Sequence, residues 1–320
     1  MTSRFARALV VPLAALALGG CGLAKRAAVA VVYDRAELPA ALVRPDLPYR
    51  AGGDPKHRFD LFLPLADSVR ARPWPTVVFV HGGGWTEGDR AYTFGGADVY
   101  GNIGRFFASH GVGAAVVSYR LQPDVAWRAQ VGDVAAALAA VRDTVVARGG
   151  APQVVLMGHS AGAHLALRVA LDREAQARAG IPAGAVCGAM PVSGAALDLR
   201  DRASFEIADN YAYYLDRFAP PGTPRTDVPP AEPAPWQAEA SVVPLVTPDA
   251  PPTLVLYAGG DYPALIRQNE LLAEALRVAG APVEVVVVPG RSHFRIVPTL
   301  SRDDQTAGPA MLAFVRGLGC

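Results

Sequence analysis

One serine stands where a short apolar run gives way to residues rich in alanine and leucine. Ser160 lies between Gly158 and Gly162, and the apolar residues 154–157 precede it. This G-x-S-x-G pattern is typical of a tight turn from a strand into a helix, in which flanking glycines make room for a strained serine backbone. Because such a turn exposes the hydroxyl, we predict that Ser160 is a nucleophile. The alternative is a small residue at an ordinary turn.

A serine hydroxyl needs a base to accept its proton at neutral pH. His293 follows the apolar run Val283–Val288 and precedes the last helical segment. In a parallel sheet such a loop emerges at the carboxyl edge of the strands, as the turn at Ser160 does. We therefore predict His293 as the general base. The remaining histidines are expected at a strand start, a helix end, the serine turn or a glycine loop: His57, His110, His159, His164 and His81.

An acidic side chain is expected to orient that imidazole and to stabilise its cation. Asp261 also follows a predicted strand, and it falls between Ser160 and His293 along the chain. We predict Asp261 as this acid. Asp198, after another predicted strand, and Glu270, inside a predicted helix, are its rivals, and a helix cap or a surface position is the alternative role for Asp261.

Three consecutive glycines occur in the stretch His81-Gly82-Gly83-Gly84-Trp85, after a β-branched run. Glycines let the backbone turn its N–H groups toward a ligand. The amides of Gly83 and Gly84, with the Ala161 amide at the start of the helix after the serine, are predicted to bind a developing oxyanion. The alternative is a flexible glycine turn. His81 is expected to be a structural hydrogen-bonding residue.

These groups sit at the joints of alternating strand-like and helix-like segments. Short runs of valine, isoleucine and leucine suit a mostly parallel sheet that is covered by helices on both faces, an α/β fold. The predicted strands are 57–63, 76–80, 111–118, 154–157, 185–192, 253–257 and 283–288. The predicted helices are 97–110, 129–148, 160–171, 265–279 and 305–318.

Residues 195–252 interrupt this alternation and are predicted to be an insertion. The stretch is rich in proline, and Pro220–Pro235 is expected to be an irregular loop. Its aromatic side chains either pack only against each other or contribute to a binding pocket. They are Phe205, Tyr211, Tyr213, Tyr214, Phe218 and Trp236.

The first residues have the pattern of an export signal. Arg4 and Arg7 precede the apolar run 8–18, which is too short to span a bilayer comfortably. Leu18-Gly19-Gly20-Cys21 resembles the lipobox of bacterial lipoproteins, which implies lipidation of Cys21, with an ordinary cleaved signal as the alternative. We predict a signal peptide over 1–20, a tether over 21–47 and the main domain over 48–320. Gly22 after the cysteine favours the outer membrane, with a periplasmic or cell-surface domain.

The composition fits one sizeable domain that needs neither metal nor disulfide. About half of the 320 residues are hydrophobic, and the formal net charge is +1 with scattered basic residues, which argues against a nucleic-acid partner. Apart from Cys21, the chain has only Cys187 and Cys320. An exported protein can oxidise such a pair, but the sequence provides no disulfide framework, so no disulfide is predicted. The sequence carries no signal for an oligomeric state.

Taken in order, the motifs resemble those of the α/β-hydrolase superfamily. The resemblance is to the carboxylesterase type, in the group of hormone-sensitive-lipase-like esterases, the feruloyl-esterase-like BD-FAE domain and kynurenine formamidase. It covers residues 48–318 and includes the order Ser, Asp, His. The stretches that carry it are DLFLP (60–64), HGGGWTEGDR (81–90), SYRL (118–121), GHSAGAHL (158–165), PPT (251–253) and PGRSHF (289–294).

The resemblance implies a sheet of about eight strands, a triad of Ser160, Asp261 and His293, and no cofactor or metal. It also implies a small-molecule ester, or less favoured an amide, as substrate. Three other functions stay open: a formamide hydrolase, a peptidase or thioesterase on the same fold, and a surface lipoprotein whose scaffold only binds a ligand or partner.

Overall fold

The structure is a computed structural model that describes residues 35–69, 73–302 and 306–320. Its strands are β1 Val43–Pro48, β2 Arg58–Phe62, β3 Thr76–Val80, β4 Thr93–Phe94, β5 Ala97–Asp98, β6 Gly113–Val117, β7 Val154–His159, β8 Val186–Val192, β9 Thr253–Ala258 and β10 Val283–Val288. The helices in the described ranges are α1 Val99–Ser109, α2 Trp127–Val146, α3 Ala161–Leu171, α4 Arg173–Arg178, α5 Arg202–Ala208, α6 Tyr211–Phe218, α7 Pro235–Ala240, α8 Pro263–Ala279 and α9 Ala307–Gly317. None of them is long and apolar enough to cross a membrane.

One eight-stranded sheet organises the molecule, in the order β1-β2-β6-β3-β7-β8-β9-β10. Strands from β6 to β10 pair in parallel, whereas β1 and β2 are antiparallel to their neighbours. The prediction of about eight mostly parallel strands with helices on both faces is confirmed. β4 and β5 form a separate small hairpin.

Both faces of the sheet are buried, which explains why its central strands read as continuous apolar runs. In β3, Val78 and Val80 belong to the core that packs beneath α2, α3 and α8. Val77 and Phe79 point to the other core, which packs beneath α1 and α9. Side chains alternate between the two faces of a strand, so each layer of helices receives every second residue.

The carboxyl ends of the central strands all reach one edge of the sheet. The triple glycine follows β3, Ser160 follows β7, Asp261 follows β9 and His293 follows β10. Parallel pairing therefore gathers groups that lie more than 200 residues apart in the sequence.

The predicted tether extends too far along the chain. Val43–Pro48 is strand β1, which pairs with β2 and forms one edge of the sheet. Its two prolines interrupt the pattern that predicts a strand from the sequence. Prolines are tolerated on an edge strand, because one side of such a strand forms no hydrogen bonds within the sheet. The ordered domain also reaches further back, since Ala36 and Leu38 pack against the core.

The insertion at 195–252 contains more regular structure than the sequence predicts. It forms the short helices α5, α6 and α7, whereas residues 219–234 between α6 and α7 form neither helix nor strand. Helices of six to eight residues carry little periodic signal of their own and depend on tertiary packing. Here they are held by buried aromatic side chains such as Phe205, Tyr214 and Trp236.

The expectation that no disulfide forms is wrong. Cys187 on β8 and Cys320 at the chain end are bonded, with their Cα atoms 6.6 Å apart. Helix α9 packs across β9 and β10 and returns the C-terminus to β8, where Leu318 lies against the backbone of Gly188. This proximity depends on how the last helix folds back, which the spacing of two cysteines does not reveal.

Candidate active site

Ser160 occupies a strained turn between β7 and α3. Its backbone angles are φ 55° and ψ −120°, which side-chain-bearing residues rarely adopt. A Cβ at Gly158 would lie 2.3 Å from the Gly162 oxygen, and one at Gly162 would lie 2.2 Å from the Val80 oxygen. Glycine is therefore required on both sides, because the turn presses the start of α3 against β3 and β7.

Three side chains form a continuous line of hydrogen bonds. The Ser160 Oγ lies 3.0 Å from His293 Nε2, and His293 Nδ1 lies 3.0 Å from Asp261 Oδ1. The carboxylate fixes the proton on Nδ1, so Nε2 is free to accept the proton of the serine hydroxyl. The structure thus brings together the three residues predicted as nucleophile, base and acid.

The Asp261 carboxyl is buried beside a histidine. Burial raises its pKa, but the hydrogen bond and the charge interaction with His293 outweigh that effect and hold the pKa below its usual value. Neither rival acid reaches the imidazole: Asp198 pairs with Arg200 at 2.8 Å, and Glu270 is exposed on α8.

The neighbouring histidine, His159, is a structural partner of the base. Its Nε2 lies 3.0 Å from the His293 carbonyl oxygen, and the two rings are 4.8 Å apart. Since a carbonyl can only accept, His159 Nε2 is the donor. Burial, followed by repulsion from His293, lowers the pKa of His159 to about 3, so its ring stays neutral. The sequence placed this residue at the serine turn but gave no sign of this hydrogen bond.

The other histidines serve the scaffold. His164 accepts from Trp85 Nε1 at 3.3 Å and donates to the Ala240 oxygen at 2.8 Å, which ties α3 to the insertion. His57 pairs with buried Asp133 at 3.3 Å, and His110 caps the end of α1.

Hydrogen bonds within the triple-glycine loop fix the directions of two backbone amides. The Gly82 oxygen accepts from His81 Nδ1 at 2.7 Å, and the Gly83 oxygen accepts from the amides of Thr86 and Glu87 at 3.1 and 3.0 Å. In a trans peptide the N–H points opposite to the carbonyl, so these bonds set the directions of the Gly83 and Gly84 amides. Among the described residues neither amide donates to a protein acceptor.

The first amide of α3 is that of Ala161, directly after Ser160. An amide in the first turn of a helix has no partner within the helix. Gly82 to Gly84 and Ser160 line one cleft, and a Cβ at Gly82 would lie 3.3 Å from the Ser160 Cβ. Of the three residues predicted as oxyanion donors, Gly83 and Gly84 line the same cleft as Ser160, and Ala161 follows Ser160 directly in the chain.

The insertion contributes directly to this loop, which the sequence left open. Arg217 on α6 donates from Nε to the Gly84 oxygen at 3.0 Å, and its guanidinium carbon lies 3.4 Å from the centre of the Tyr213 ring. Trp85 packs edge-on against Phe218 at 4.9 Å. Of the six aromatics predicted to pack or to form a pocket, Tyr213 and Tyr214 line the cleft, and the other four are buried in the core.

The cleft above Ser160 has a volume of about 1350 Å³. Its walls are the glycine loop, the hairpin of β4 and β5, helices α5 and α6, the start of α8 and the loop that carries His293. A space of this size accepts a small organic molecule on both sides of the hydroxyl. Within the described residues, no cluster of three or more His, Cys, Asp or Glu side chains is arranged to hold a metal ion. Cys21, predicted as the lipidation site, lies outside the described residues.

Comparisons with known proteins find relatives of this chain. The chain is 28% identical over 251 residues to a probable isoprenylcysteine alpha-carbonyl methylesterase of Oryza sativa, covering 76% of this chain and 56% of that protein. It is 29% identical over 247 residues to the esterase LipC of Mycobacterium tuberculosis, covering 76% of this chain and 58% of that protein. The chain thus spans little more than half the length of these curated relatives.

A solved structure shares the whole architecture. Esterase B of Lactobacillus rhamnosis superimposes with a TM-score of 0.70 at 23% identity, over 95% of this chain and 92% of that one. At this identity the likeness establishes the fold alone. The sequence model of the family described as the alpha/beta hydrolase fold matches residues 77–296, which include the serine turn, the acid and the base. The chain therefore belongs to the α/β-hydrolase fold family.

Proposed function

We propose that the protein is a serine carboxylesterase. The observation that carries the proposal is the line of hydrogen bonds from Ser160 Oγ through His293 to Asp261. Ser160 and His293 line a cleft together with Gly83 and Gly84, whose amides have no acceptor among the described residues. The relatives named above are esterases by name, which supports ester hydrolysis over the other reactions of this fold.

The reaction begins when Ser160 Oγ attacks the ester carbonyl carbon and passes its proton to His293 Nε2. The carbonyl oxygen becomes an oxyanion that accepts hydrogen bonds from the Gly83, Gly84 and Ala161 amides. The bond to the alkoxy group then breaks, and His293 donates its proton to the departing alcohol. Water, deprotonated by the same imidazole, attacks the acyl-enzyme and releases the acid and free Ser160.

Asp261 acts throughout by holding the histidine. Its carboxylate keeps the imidazole in the tautomer that presents Nε2 to the serine, and it stabilises the imidazolium that forms twice in each turnover. Because its pKa lies below the usual value, the carboxylate is ionised at neutral pH.

The test is hydrolysis of p-nitrophenyl esters of increasing acyl length by the wild type and by Ser160→Ala. We expect the variant to lose about 10⁴-fold or more in kcat, and a fluorophosphonate probe to label the wild type only, on the peptide that contains Ser160. Retained hydrolysis in Ser160→Ala would rule out this nucleophile. A matched panel of an aryl formamide, a thioester and a peptide separates the remaining chemistries, since the proposal requires the ester to be hydrolysed with the highest kcat/KM.

We further propose that Cys21 is acylated and that the domain is held at the outer membrane after export. Three features of the first residues support this proposal: the basic residues Arg4 and Arg7, the apolar run 8–18, and the stretch Leu18-Gly19-Gly20-Cys21. The disulfide between Cys187 and Cys320 supports it as well, because such bonds persist in oxidising compartments. Metabolic labelling with palmitate, followed by fractionation of inner and outer membranes, tests it with Cys21→Ala as control. Equal labelling of the two chains would contradict acylation at this residue.

A further inference from the structure

Among residues 35–69, 73–302 and 306–320, exposed aromatic side chains are confined to one place on the surface. In the parts of the chain that the structure describes, every aromatic residue that is substantially exposed lines the cleft, with exposures between 38% and 70%. The exposed large hydrophobic residues elsewhere in these parts are all valines. The aromatic rim consists of Tyr92, Phe94, Tyr213, Tyr262 and Phe294, and Ile207 adds an exposed aliphatic side chain to it.

The rim gathers side chains from separate parts of the fold. Phe94 belongs to the β4–β5 hairpin, whose turn consists of Gly95 and Gly96, both with positive φ. Ile207 belongs to α5, and Phe294 follows the base directly. These exposed apolar side chains come from several elements and line the same cleft. A concentration of exposed apolar side chains in one place marks an interaction site.

The N-terminal end of the described chain attaches beside this rim. The Ala36 amide donates to Asn102 Oδ1 at 2.8 Å, and Asn102 Nδ2 donates to Ser301 Oγ at 2.7 Å. Asn102 lies in the first turn of α1, two residues after Tyr100, which lines the cleft. Ser301 Oγ donates to the oxygen of Pro298 at 3.5 Å, and Pro298 also lines the cleft. The chain therefore enters the domain next to the mouth of the cleft.

The distance from Cys21 to this attachment point limits how an anchored domain can face a membrane. Fourteen residues separate Cys21 from Ala36, and a segment of that length spans at most about 50 Å. A compact domain of this size is about 50 Å across. To place the opposite face on the membrane, the segment would have to run about 60 Å around the domain, by the same dimensions. The segment is shorter than this path, so we expect the domain to contact the membrane on the side where the segment attaches.

We propose that the aromatic rim rests on the surface of the lipid bilayer, so that the cleft opens into the membrane and takes its ester from there. The inference rests on the proposed esterase function and on the proposed acylation of Cys21. Tyrosine and phenylalanine suit the boundary between headgroups and acyl chains. The cleft is also lined by Arg217 and Arg295 against one acid, Glu87, a balance that suits anionic headgroups.

Quenching of tryptophan fluorescence by brominated lipid tests the orientation. The four native tryptophans, Trp74, Trp85, Trp127 and Trp236, are buried, so a new exposed tryptophan is read against a constant background. Full-length chains carrying Phe94→Trp or Phe294→Trp are reconstituted in vesicles of phosphatidylethanolamine and phosphatidylglycerol. Part of the lipid is phosphatidylcholine brominated in the acyl chain. Val146→Trp and Val278→Trp, at exposed positions outside the cleft, are the matched controls.

We expect the new tryptophan at the rim to be quenched at least about threefold more strongly than the one at either control position. Equal quenching at all positions, or stronger quenching at a control, would overturn the proposal and leave the rim as a contact for soluble substrate. If either rim variant fails to fold, Ile207→Trp replaces it with the same expectation.

Two further measurements distinguish a failure of the membrane orientation from a failure of the acylation or of the esterase function. The mass of the N-terminal peptide reports acylation of Cys21, and an unacylated chain removes the tether and overturns the orientation as well. Hydrolysis of a soluble p-nitrophenyl ester by each wild-type preparation reports the esterase function. Quenching confined to the rim in a chain without that activity would refute the esterase function and the proposed ester uptake, while the orientation at the membrane would stand.

Discussion

His159 Nε2 donates a hydrogen bond to the main-chain oxygen of His293 across 3.0 Å. His159 thereby connects the turn at Ser160 to the loop that carries His293. His159 is buried and its other ring nitrogen, Nδ1, has no hydrogen-bond partner among the described residues. The serine turn and the histidine loop, which are 133 residues apart in the chain, are thus connected twice, by this bond and by the one between Ser160 and the imidazole.

Removing that donor should slow catalysis without weakening substrate binding. His159→Leu leaves the His293 carbonyl without its partner, at a cost of about 1 to 3 kcal/mol, so we expect kcat to fall about 10- to 100-fold with KM changed less than about threefold. His159→Gln keeps a donor of similar reach and should recover most of the loss. Steady-state kinetics on a p-nitrophenyl ester measure both variants. Equal defects in the two would show that ring packing, not the hydrogen bond, matters.

Asp261 and Asp198 are expected to differ in their importance for catalysis. Asp261→Asn removes the charge that fixes the imidazole tautomer, and we expect kcat to drop by about 10⁴-fold. Asp198→Asn breaks the pair with Arg200 but touches no part of the triad, so its kcat should stay within about tenfold of wild type. Single-turnover kinetics with both purified variants measure the difference. A larger loss in Asp198→Asn would reverse the assignment.

Gly83 and Gly96 provide a matched pair for the glycine loop. Both have positive φ, 117° and 86°, so alanine is strained at either position. A Cβ at Gly83 would lie 2.0 Å from the Glu87 oxygen, whereas nothing lies within 4 Å at Gly96. To relieve this contact, the backbone at Gly83 must rotate, and the rotation turns the Gly83 carbonyl and the amides of the loop. We expect Gly83→Ala to lower kcat about 100-fold or more and Gly96→Ala to affect mainly stability. Paired measurements of kcat and of urea unfolding decide this, and similar kcat values would contradict it.

Arg217 should matter for catalysis although it lies in the insertion. Arg217→Met removes the donor to the Gly84 oxygen, and we expect kcat to fall about tenfold as the loop loses its fixed direction. Arg225→Met is the control, because Arg225 is exposed, lies in the same insertion and, among the described residues, forms its ion pair with Asp216 alone, at 3.2 Å. The measurement is kcat/KM for a short-chain and a long-chain ester. A loss confined to the long-chain ester would indicate substrate contact instead of loop positioning.

The free energy of unfolding is expected to depend on pH through three buried histidines. Burial lowers the pKa of His81 to about 4 and those of His159 and His164 to about 3, below the unfolded value of 6.5. The unfolded chain therefore binds more protons below pH 6.5, so their stabilising contribution is complete above that pH and is lost as the pH falls toward the folded pKa values. Each proton accounts for about 1.4 kcal/mol per pH unit.

Urea unfolding between pH 8 and 4.5, followed by tryptophan fluorescence, measures this effect. We expect no change from these histidines between pH 7.5 and 8, and a free energy of unfolding that falls by up to about 4 kcal/mol per pH unit near pH 5. His164→Gln retains a donor for the Ala240 oxygen and should reduce the slope by about one proton. An unchanged slope in that variant would show that His164 takes up its proton in the folded state.

Some elements of the site can be predicted from local patterns in the sequence. The β-branched run at 76–80 and the valine run at 283–288 are strands at those bounds, because short runs of β-branched residues favour strands whether they are fully buried, as in β3, or at the edge of the sheet, as in β10. The two glycines around Ser160 are explained by direct collisions with Val80 and the start of α3. Parallel topology then places Asp261 and His293 at the same edge, so the triad's geometry follows from local patterns and one rule of connection.

The missing elements depend on contacts between distant residues. Strand β1 contains prolines, and only its pairing with β2 makes it a strand. Helix α6 exists because Tyr214 and Phe218 pack on Trp85, 129 and 133 residues earlier in the chain. Neither the bond from His159 to His293 nor the one from Arg217 to Gly84 has a signature in the residues that surround it. Such features require the assembled fold before they can be recognised.

The bond between Cys187 and Cys320 determines what a protease can separate. A single cut anywhere in the irregular stretch 219–234 produces one fragment with Ser160 and another with Asp261 and His293. Because Cys187 lies before such a cut and Cys320 lies after it, the fragments remain one covalent molecule. Nicking of this proline-rich surface segment therefore leaves Ser160, Asp261 and His293 in one covalently joined molecule.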